Sequence, residues 1–321
     1  MSNPRKVKGY FTKNFDLAHS SNGWHSFNCP FCGDDKNKMS IHFHYAYTKC
    51  WICGYSEHAV RFISEYEDVS IKSAKDKLKA SGSLKLSPIK ATVYKDSPQI
   101  HMPEGYKSIS EVSGSLAERA RKYLIGRGFD IDVLDTMGFG YCDNPESDYF
   151  GRIIIPFKQH GRLIYYIGRD FIGNYLRYHN PPRDQIGIGK GDVLFNADAL
   201  EIFDTVFVTE GWSDALTVGQ NGISTQGWSL SPKQSEQILI SSCDELVFAP
   251  DAGTDGSGES FYKKALHTAI KFIGHKKIKV LNLNTFTEGK DVNELGKEVI
   301  MDLYKRTFFT DFKKIMEDIL E

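Results

Sequence analysis

The sequence predicts an α/β protein, a Rossmann-like sheet preceded by a small β-rich ribbon, and three observations carry that expectation. Thr205–Gly222 (TVFVTEGWSDALTVGQNG) and Leu246–Glu259 (LVFAPDAGTDGSGE) are apolar runs that each stop at an acidic residue and a glycine, with a potential helix after the turn. Open parallel sheets present ligand-binding groups in this way, at the C-terminal ends of their strands. Two Cys-x-x-Cys pairs lie about 150 residues upstream of the first run, where they mark a separate metal-held module. A third apolar run, Ile278–Leu283, is followed by GKDVNE and adds Asp291 and Glu294 as another acidic strand end.

With 321 residues, the chain has room for roughly two to three domains. Its 40% hydrophobic and 25% charged residues are ordinary for soluble globular protein. It shows no long apolar run and no basic-apolar-small leader, so neither a membrane span nor a signal peptide is expected. Residues 1–90 hold 14 Lys+Arg against 8 Asp+Glu, a formal +6, which leaves the remaining residues at −7 beneath the overall −1. A modestly basic N-terminal module can meet a phosphate backbone or simply be a solvated lysine-rich surface.

In chain order, residues 1–80 form the ribbon module. Trp24–Asn28 and Met39–Lys49 alternate with the period of strands, and His58–Tyr66 reads as a short closing helix. Residues 81–108 read as a linker, centred on Ser81–Pro103, which lacks sustained periodicity. The larger domain covers residues 109–298. It opens with a helix over Ser115–Phe129 that stops near Gly128, passes through short strands from Gly151, and ends in the acidic α/β part at about residues 203–296. Residues 299–321 read as an amphipathic C-terminal helix, with FFTDFKKIMEDILE as its last stretch.

CPFC, a 17-residue gap and CWIC give the ligand spacing of a zinc ribbon, with Cys29, Cys32, Cys50 and Cys53 as four thiolate ligands. In a reducing cytoplasm, the expected location, such pairs read as metal ligands rather than disulfides. Gly33 and Gly54 follow the second cysteine of each pair, where a knuckle turns tightly. Cys142 and Cys243 stand alone and read as small buried hydrophobes. His42 and His44 are either alternative ligands or surface groups. Trp24, Lys36, Lys38 and His42 interleave aromatic and basic side chains, which suits base stacking and phosphate contact on a single nucleic-acid strand, although some aromatics must pack the ribbon's own core.

At the first acidic edge, Gly211 lets the chain turn from Glu210 into a helix over Trp212–Gln220. Asp214 lies one helical turn on, where it either points back to the edge or caps the helix. At the second edge, Asp251 is followed by a glycine-rich loop that brings Asp255 into reach, with Gly253, Gly256 and Gly258 permitting close approach of backbone to phosphate. Three acidic edges from one sheet suit a hard divalent cation and phosphate chemistry.

VTEGWSDAL, FAPDAGTDGSGE and GKDVNE resemble the TOPRIM domain shared by bacterial-type primases, type IA and II topoisomerases and some nucleases. GRIIIPF (Gly151–Phe157), IGRD (Ile167–Asp170), LRYHNPP (Leu176–Pro182) and VLFNADAL (Val193–Leu200) resemble, in order, segments of DnaG-like DNA primases, and the short four-cysteine version is similar to phage-encoded ones. The resemblance covers about residues 24–60 and 115–296.

It implies that Glu210 is a metal ligand or the base acting on a 3′-hydroxyl. Asp251 matches the first aspartate of an Asp-x-Asp pair. Gly253 occupies the place of the second, which Asp255 restores only if the loop has gained two residues. Asp291 matches the third acidic position. The implied set is Glu210, Asp251 and Asp255 for catalysis, joined by Asp291 in holding Mg2+ or Mn2+, with structural Zn2+ in the ribbon. Arg152, Arg169 and Arg177 match basic positions lining a nucleotide and template cleft, and Asp214 is grouped with them. Guanidinium forks suit triphosphate oxygens.

The implied function is a DNA primase, a DNA-directed RNA polymerase that joins ribonucleoside triphosphates into a short RNA primer on single-stranded DNA during replication. It implies a separate replicative helicase as partner, no membrane, and a cytoplasmic location, the host's if the chain is phage-encoded. The rival readings are a TOPRIM nuclease and a non-catalytic, RecR-like zinc and TOPRIM repair clamp. The C-terminal helix would dock the helicase or pack on its own domain.

Overall fold

A computed structural model describes residues 4–18, 23–43, 46–79, 100–111, 114–227, 229–254, 260–286, 291–311, 313, 315 and 317. Several sequence expectations therefore fall outside the described residues. They are Asp255 and its loop glycines Gly256 and Gly258, His44, residues 81–99 of the linker, and residues 312, 314, 316 and 318–321 of the final helix. The chain divides into two compact units, Met1–Gln99 and Ile100–Glu321.

In the first unit, β1 (Trp24–Phe27), β2 (Met39–His42), β3 (Tyr47–Cys50) and β4 (Ser56–His58) form an antiparallel sheet in sequence order. The alternating stretch Met39–Lys49 is thus a hairpin of two strands. His58 caps the helix Ala59–Tyr66, its Nδ1 accepting from Val60 N at 3.1 Å. Two helices that periodicity did not reveal, Pro4–Asn14 and Ile71–Lys79, complete the unit. The first carries a narrow stripe of Val7, Tyr10 and Phe11 in a lysine-rich segment, and tertiary burial makes it a helix. Phe11, Phe15, Phe27 and Phe62 pack with ring centroids 4.7–5.9 Å apart, an aromatic core that takes up apolar surface a module this small could not otherwise bury.

The second unit opens with a five-stranded antiparallel sheet in sequence order. Its strands are β5 (Tyr106–Ser108), β6 (Gly140–Cys142), β7 (Arg152–Gln159), β8 (Arg162–Asp170) and β9 (Tyr178–His179). In β7, Ile153, Ile155 and Phe157 pack with Ala117, Ala120, Leu124 and Leu134 of the helices Gly114–Gly126 and Ile131–Met137. Ile154, on the opposite face, packs with Cys142, Tyr149 and Tyr166. A strand covered on both faces reads as the continuous apolar run RIIIPF. Ile100, Met102 and Tyr106 pack on this second cluster, so residues 100–108 belong to the domain and not to the linker expected as far as residue 108.

The acidic part is a four-stranded parallel sheet of β10 (Thr205–Thr209), β11 (Gly222–Ser224), β12 (Glu245–Phe248) and β13 (Lys277–Val280), in the order β11-β10-β12-β13. Its helices include Trp212–Val218, Pro232–Ile240, Phe261–Ala269 and Val292–Leu295. Gly222 is required by packing, because a Cβ there would lie 2.2 Å from the carbonyl oxygen of Ala215. The single helix expected over 299–321 is interrupted: Lys297–Arg306 is helical, residues 307–311 are not, and Lys313, Ile315 and Glu317 are helical again, while Ile300 is buried in the core with Phe207, Val247 and Leu281. Thr310 N then donates to Ile278 O of β13 at 2.8 Å, so this part of the tail packs on its own domain. Cys142 and Cys243 are buried, as expected. Among the described residues, no helix is long and apolar enough to cross a membrane.

Candidate active site

The four cysteines converge on one point. Cys29 Sγ lies 3.9 Å from Cys53 Sγ, Cys32 Sγ lies 3.8 Å from Cys50 Sγ, and all four sulfurs are within 4.8 Å of one another. A tetrahedron with metal–sulfur distances of 2.3 Å has edges of about 3.8 Å, so the sulfurs are spaced for a shared ion and too far apart for disulfides. Gly33 and Gly54 take φ of +71° and +74°, the left-handed turn that closes each knuckle. Burial pushes the thiols of Cys29 and Cys53 up; at Cys50 burial also acts upward, but N–H groups of Cys53 and Ile52 and the neighbouring thiols hold it lower overall. A bound cation would favour all four thiolates.

The acidic edges meet in the second unit because β10 and β12 are neighbours in the sheet, paired in parallel with Val208 opposite Phe248. Glu210 and Asp251 therefore leave adjacent strands at the same end. A shallow pocket opens there, lined by Thr209, Glu210, Thr225, Gly227 and Pro250 together with apolar residues such as Leu230 and Phe248. Burial raises the Asp251 carboxyl to about 8, helped by the charges of Asp214, Glu210 and Asp291 and by a hydrogen bond with Glu210. Burial also raises Glu210, opposed by its contact with Asp251 and the positive charges of Lys190 and Arg177. Asp251 Oδ1 is buried with no hydrogen-bond partner.

Asp291 begins the helix Val292–Leu295 and accepts from Glu294 N at 2.7 Å. Asp214 is 5% exposed, and its oxygens accept from Gly211 N at 3.2 Å and Asn293 N at 3.1 Å. It thus ties the first acidic edge to the third, and burial together with Asp291 raises it to about 7. Asn293 completes this tie: its Nδ2 donates to Thr217 Oγ1 and Arg127 O, and its Oδ1 accepts from Arg127 Nη2.

The arginines occupy different environments. Arg177 is exposed, on the side of Glu210. Arg169 stacks over the Tyr178 ring at 4.9 Å and donates from Nε to Tyr123 Oη at 3.0 Å, while its Nη1 is buried without a partner. Arg152 is 5% exposed and donates to the backbone carbonyls of Leu176 and Asp148 at 2.8 and 3.3 Å. Arg152 and Asp214, grouped by sequence with the nucleotide-facing residues, thus spend their hydrogen-bonding groups on backbone. In the ribbon, Lys36 and Lys38 are exposed, whereas Trp24 and His42 are half-buried and pack edge to face at 5.2 Å.

Sequence reasoning missed Lys190 and the Asn293–Arg127 pair. Lys190 lies three residues before the VLFNADAL segment, so the signal was adjacent. Arg127 and Asn293 are separated by 166 positions and meet only in the fold.

The donor set suits a hard divalent cation at Glu210 and Asp251, since a buried, unpartnered carboxylate oxygen beside a second carboxylate is a site for positive charge. Asp291 and Asp214 add negative potential. Among the described residues, the cysteines alone bring three or more ligating atoms within 4.8 Å of one another, so the acidic groups form a looser set.

A four-cysteine ribbon joined to a parallel sheet with acidic strand ends, beside an antiparallel sheet bearing arginines, is the arrangement of a zinc-ribbon and TOPRIM protein. No family model matches the chain. It is 24% identical over 317 residues to the DNA primase of Lactococcus lactis, covering 84% of this chain and 48% of that one. The crystal structure of the Aquifex aeolicus primase zinc-binding and RNA polymerase domains superposes with a TM-score of 0.54 at 20% identity, covering 95% of this chain and 84% of that one. A DnaG primase catalytic domain bound to single-stranded DNA superposes with a TM-score of 0.52 at 19% identity, covering 66% of this chain and 77% of that one. The chain is related to DnaG-type DNA primases and carries the fold of their zinc-binding and catalytic domains. It spans about half the length of the curated relatives it matches.

Proposed function

We propose that the chain is a DNA primase that makes short RNA primers on single-stranded DNA by nucleotidyl transfer. The observation that carries this reading is the pairing of Glu210 and Asp251 at neighbouring parallel strand ends, with the charges of Arg177 and Lys190 acting on Glu210. Carboxylates with cations near them suit a triphosphate, whose charge must be held while its reactive phosphorus meets a hydroxyl. Relationship to DNA primases supports the same substrate class, and the nuclease and clamp readings are not favoured.

In the reaction, the 3′-oxygen of one nucleotide forms a bond to the α-phosphorus of the next, and the bond to the bridging oxygen breaks to release pyrophosphate. Glu210, raised by burial, is suited to take the 3′-hydroxyl proton. Arg177 and Lys190 would bind triphosphate oxygens. Held by Glu210 and Asp251, with Asp291 close enough to act on Asp251 and Asp255 four residues further along the chain, Mg2+ or Mn2+ would supply Lewis-acid stabilisation of phosphate charge. Zn2+ on Cys29, Cys32, Cys50 and Cys53 would be structural, since four protein ligands leave no open position. Lys36 and Lys38 are the ribbon residues best exposed for a DNA backbone.

The test is primer synthesis on single-stranded DNA with labelled ribonucleotides and Mg2+, comparing wild type with Glu210→Gln. Short RNA from the wild type and none from the variant is expected. Absence of synthesis on varied templates, with or without a helicase, would defeat the reading.

A further inference from the structure

The turn between β8 and β9 is held in place at several points, yet its tip points into water. The Asp170 carboxylate accepts from the N–H groups of Ile172, Gly173 and Asn174 at 3.3, 2.9 and 3.0 Å. Asn174 Nδ2 donates to Phe150 O at 3.3 Å, and the buried Arg152 donates to Leu176 O at 2.8 Å. Ile172 fills the space above Gly151, where a Cβ would lie 2.1 Å from its Cδ1. Between these tethers, Tyr175 is 100% exposed and Leu176 is 52% exposed. A fixed backbone carrying a fully exposed aromatic ring offers contact area at little entropic cost, because only the ring's own torsions remain to be ordered.

The flanking groups indicate what the ring would meet. Arg177 follows in the same turn, close enough to Glu210 to oppose the rise of its proton affinity. Tyr178 comes next, its ring beneath Arg169 and its hydroxyl accepting from Trp212 Nε1 at 3.1 Å, which fastens this strand to the first helix of the acidic sheet. Aromatic and guanidinium groups therefore alternate from the turn tip toward the acidic edge. Single-stranded nucleic acid is recognised by that combination, with cations on phosphates and rings on bases.

We propose that this turn is a stacking platform for a base of the single-stranded template, with Tyr175 as the contact ring and Arg152 as the residue that positions it. The proposal rests on the primase reading and assigns part of its template track. Stacking tolerates any base, so the platform would hold the strand without reading its sequence.

The experiment measures binding of a fluorescently labelled deoxyoligonucleotide to the full chain across a salt series, together with the template and nucleotide KM of primer synthesis. Tyr175→Ala is expected to weaken binding about 5- to 150-fold, the range for loss of one stacked base. It should raise the template KM, leave the nucleotide KM unchanged and leave the salt slope unaltered. Arg177→Ala should reduce the salt slope by about one charge, as loss of a phosphate contact does. Tyr175→Phe and Tyr175→Trp should retain affinity, since each keeps a ring. Wild-type affinity and template KM in Tyr175→Ala would overturn the proposal, as would equal losses in the alanine, phenylalanine and tryptophan variants. If the wild type makes no primer but Tyr175→Ala still weakens binding, the platform stands and the primase reading falls. Primer synthesis by Tyr175→Ala at an unchanged template KM sinks the platform alone.

Discussion

A buried carboxylate oxygen without a hydrogen-bond partner is destabilising unless a proton or a cation compensates it, and Asp251 Oδ1 is such an atom. Its raised proton affinity has a definite consequence for stability. The unfolded carboxyl titrates near about 3.9, whereas the folded one titrates near 8, so between those values the folded state binds the extra proton. Without divalent cation, stability is therefore expected to fall as pH rises from about 4 to 8. Asp214, raised to about 7, acts in the same direction. Melting temperatures across that window should decline for the wild type and decline less for Asp251→Asn. Mg2+ or Mn2+ should raise the melting temperature more at pH 8 than at pH 5, because a cation competes with the proton for the same oxygens. In primer synthesis, Asp251→Asn and Glu210→Gln should each lose about 10²-fold or more, since several kcal/mol of charge stabilisation pass through this pair.

At the scale of elements, the acidic site depends on the helix Trp212–Val218 lying close to β11. Gly222 permits that approach, so Gly222→Ala should destabilise the second unit by about 1–3 kcal/mol through overpacking, readable as a lowered melting temperature. In the ribbon, the knuckles hold strands whose own core is small. Cys53→Ser should abolish stoichiometric metal binding, measured by elemental analysis, and remove the first unit's ordered near-ultraviolet signal while the second unit stays folded. Apolar periodicity made several of these elements legible, including β10, β12 and the helix Ala59–Tyr66. It did not reveal Pro4–Asn14, whose three-residue stripe is too narrow to stand out from its lysines. Nor did it show that the tail helix breaks after Arg306 or that Ile300 enters the core. Amphipathicity says that a face will be covered, not by what.

For the whole molecule, two compact units with separate cores predict two separable transitions in calorimetry. A strong zinc chelator should abolish the one belonging to residues 1–99 and leave the other in place; a single merged transition lost as a whole would contradict this. The sequence by itself determined the four-cysteine cluster of the ribbon, because Cys-x-x-Cys spacing is local chemistry that needs only two knuckles and a hairpin. It also determined that Glu210 and Asp251 leave strand ends, since each closely follows an apolar run, whereas Asp291 stands 11 residues beyond β13 and begins the helix Val292–Leu295. Tertiary structure alone decided which of them meet. Sheet order placed β10 beside β12 and so paired Glu210 with Asp251, while Asp214 turned inward to bind Asn293 N, 79 positions away. It likewise decided that the buried Arg152 holds the turn by a bond to Leu176 O, whereas Arg177 stays exposed and acts on Glu210 through its charge. Residue type fixes what a side chain can do, but burial and long-range hydrogen bonds select the partner, and neither is encoded in any local stretch of chain.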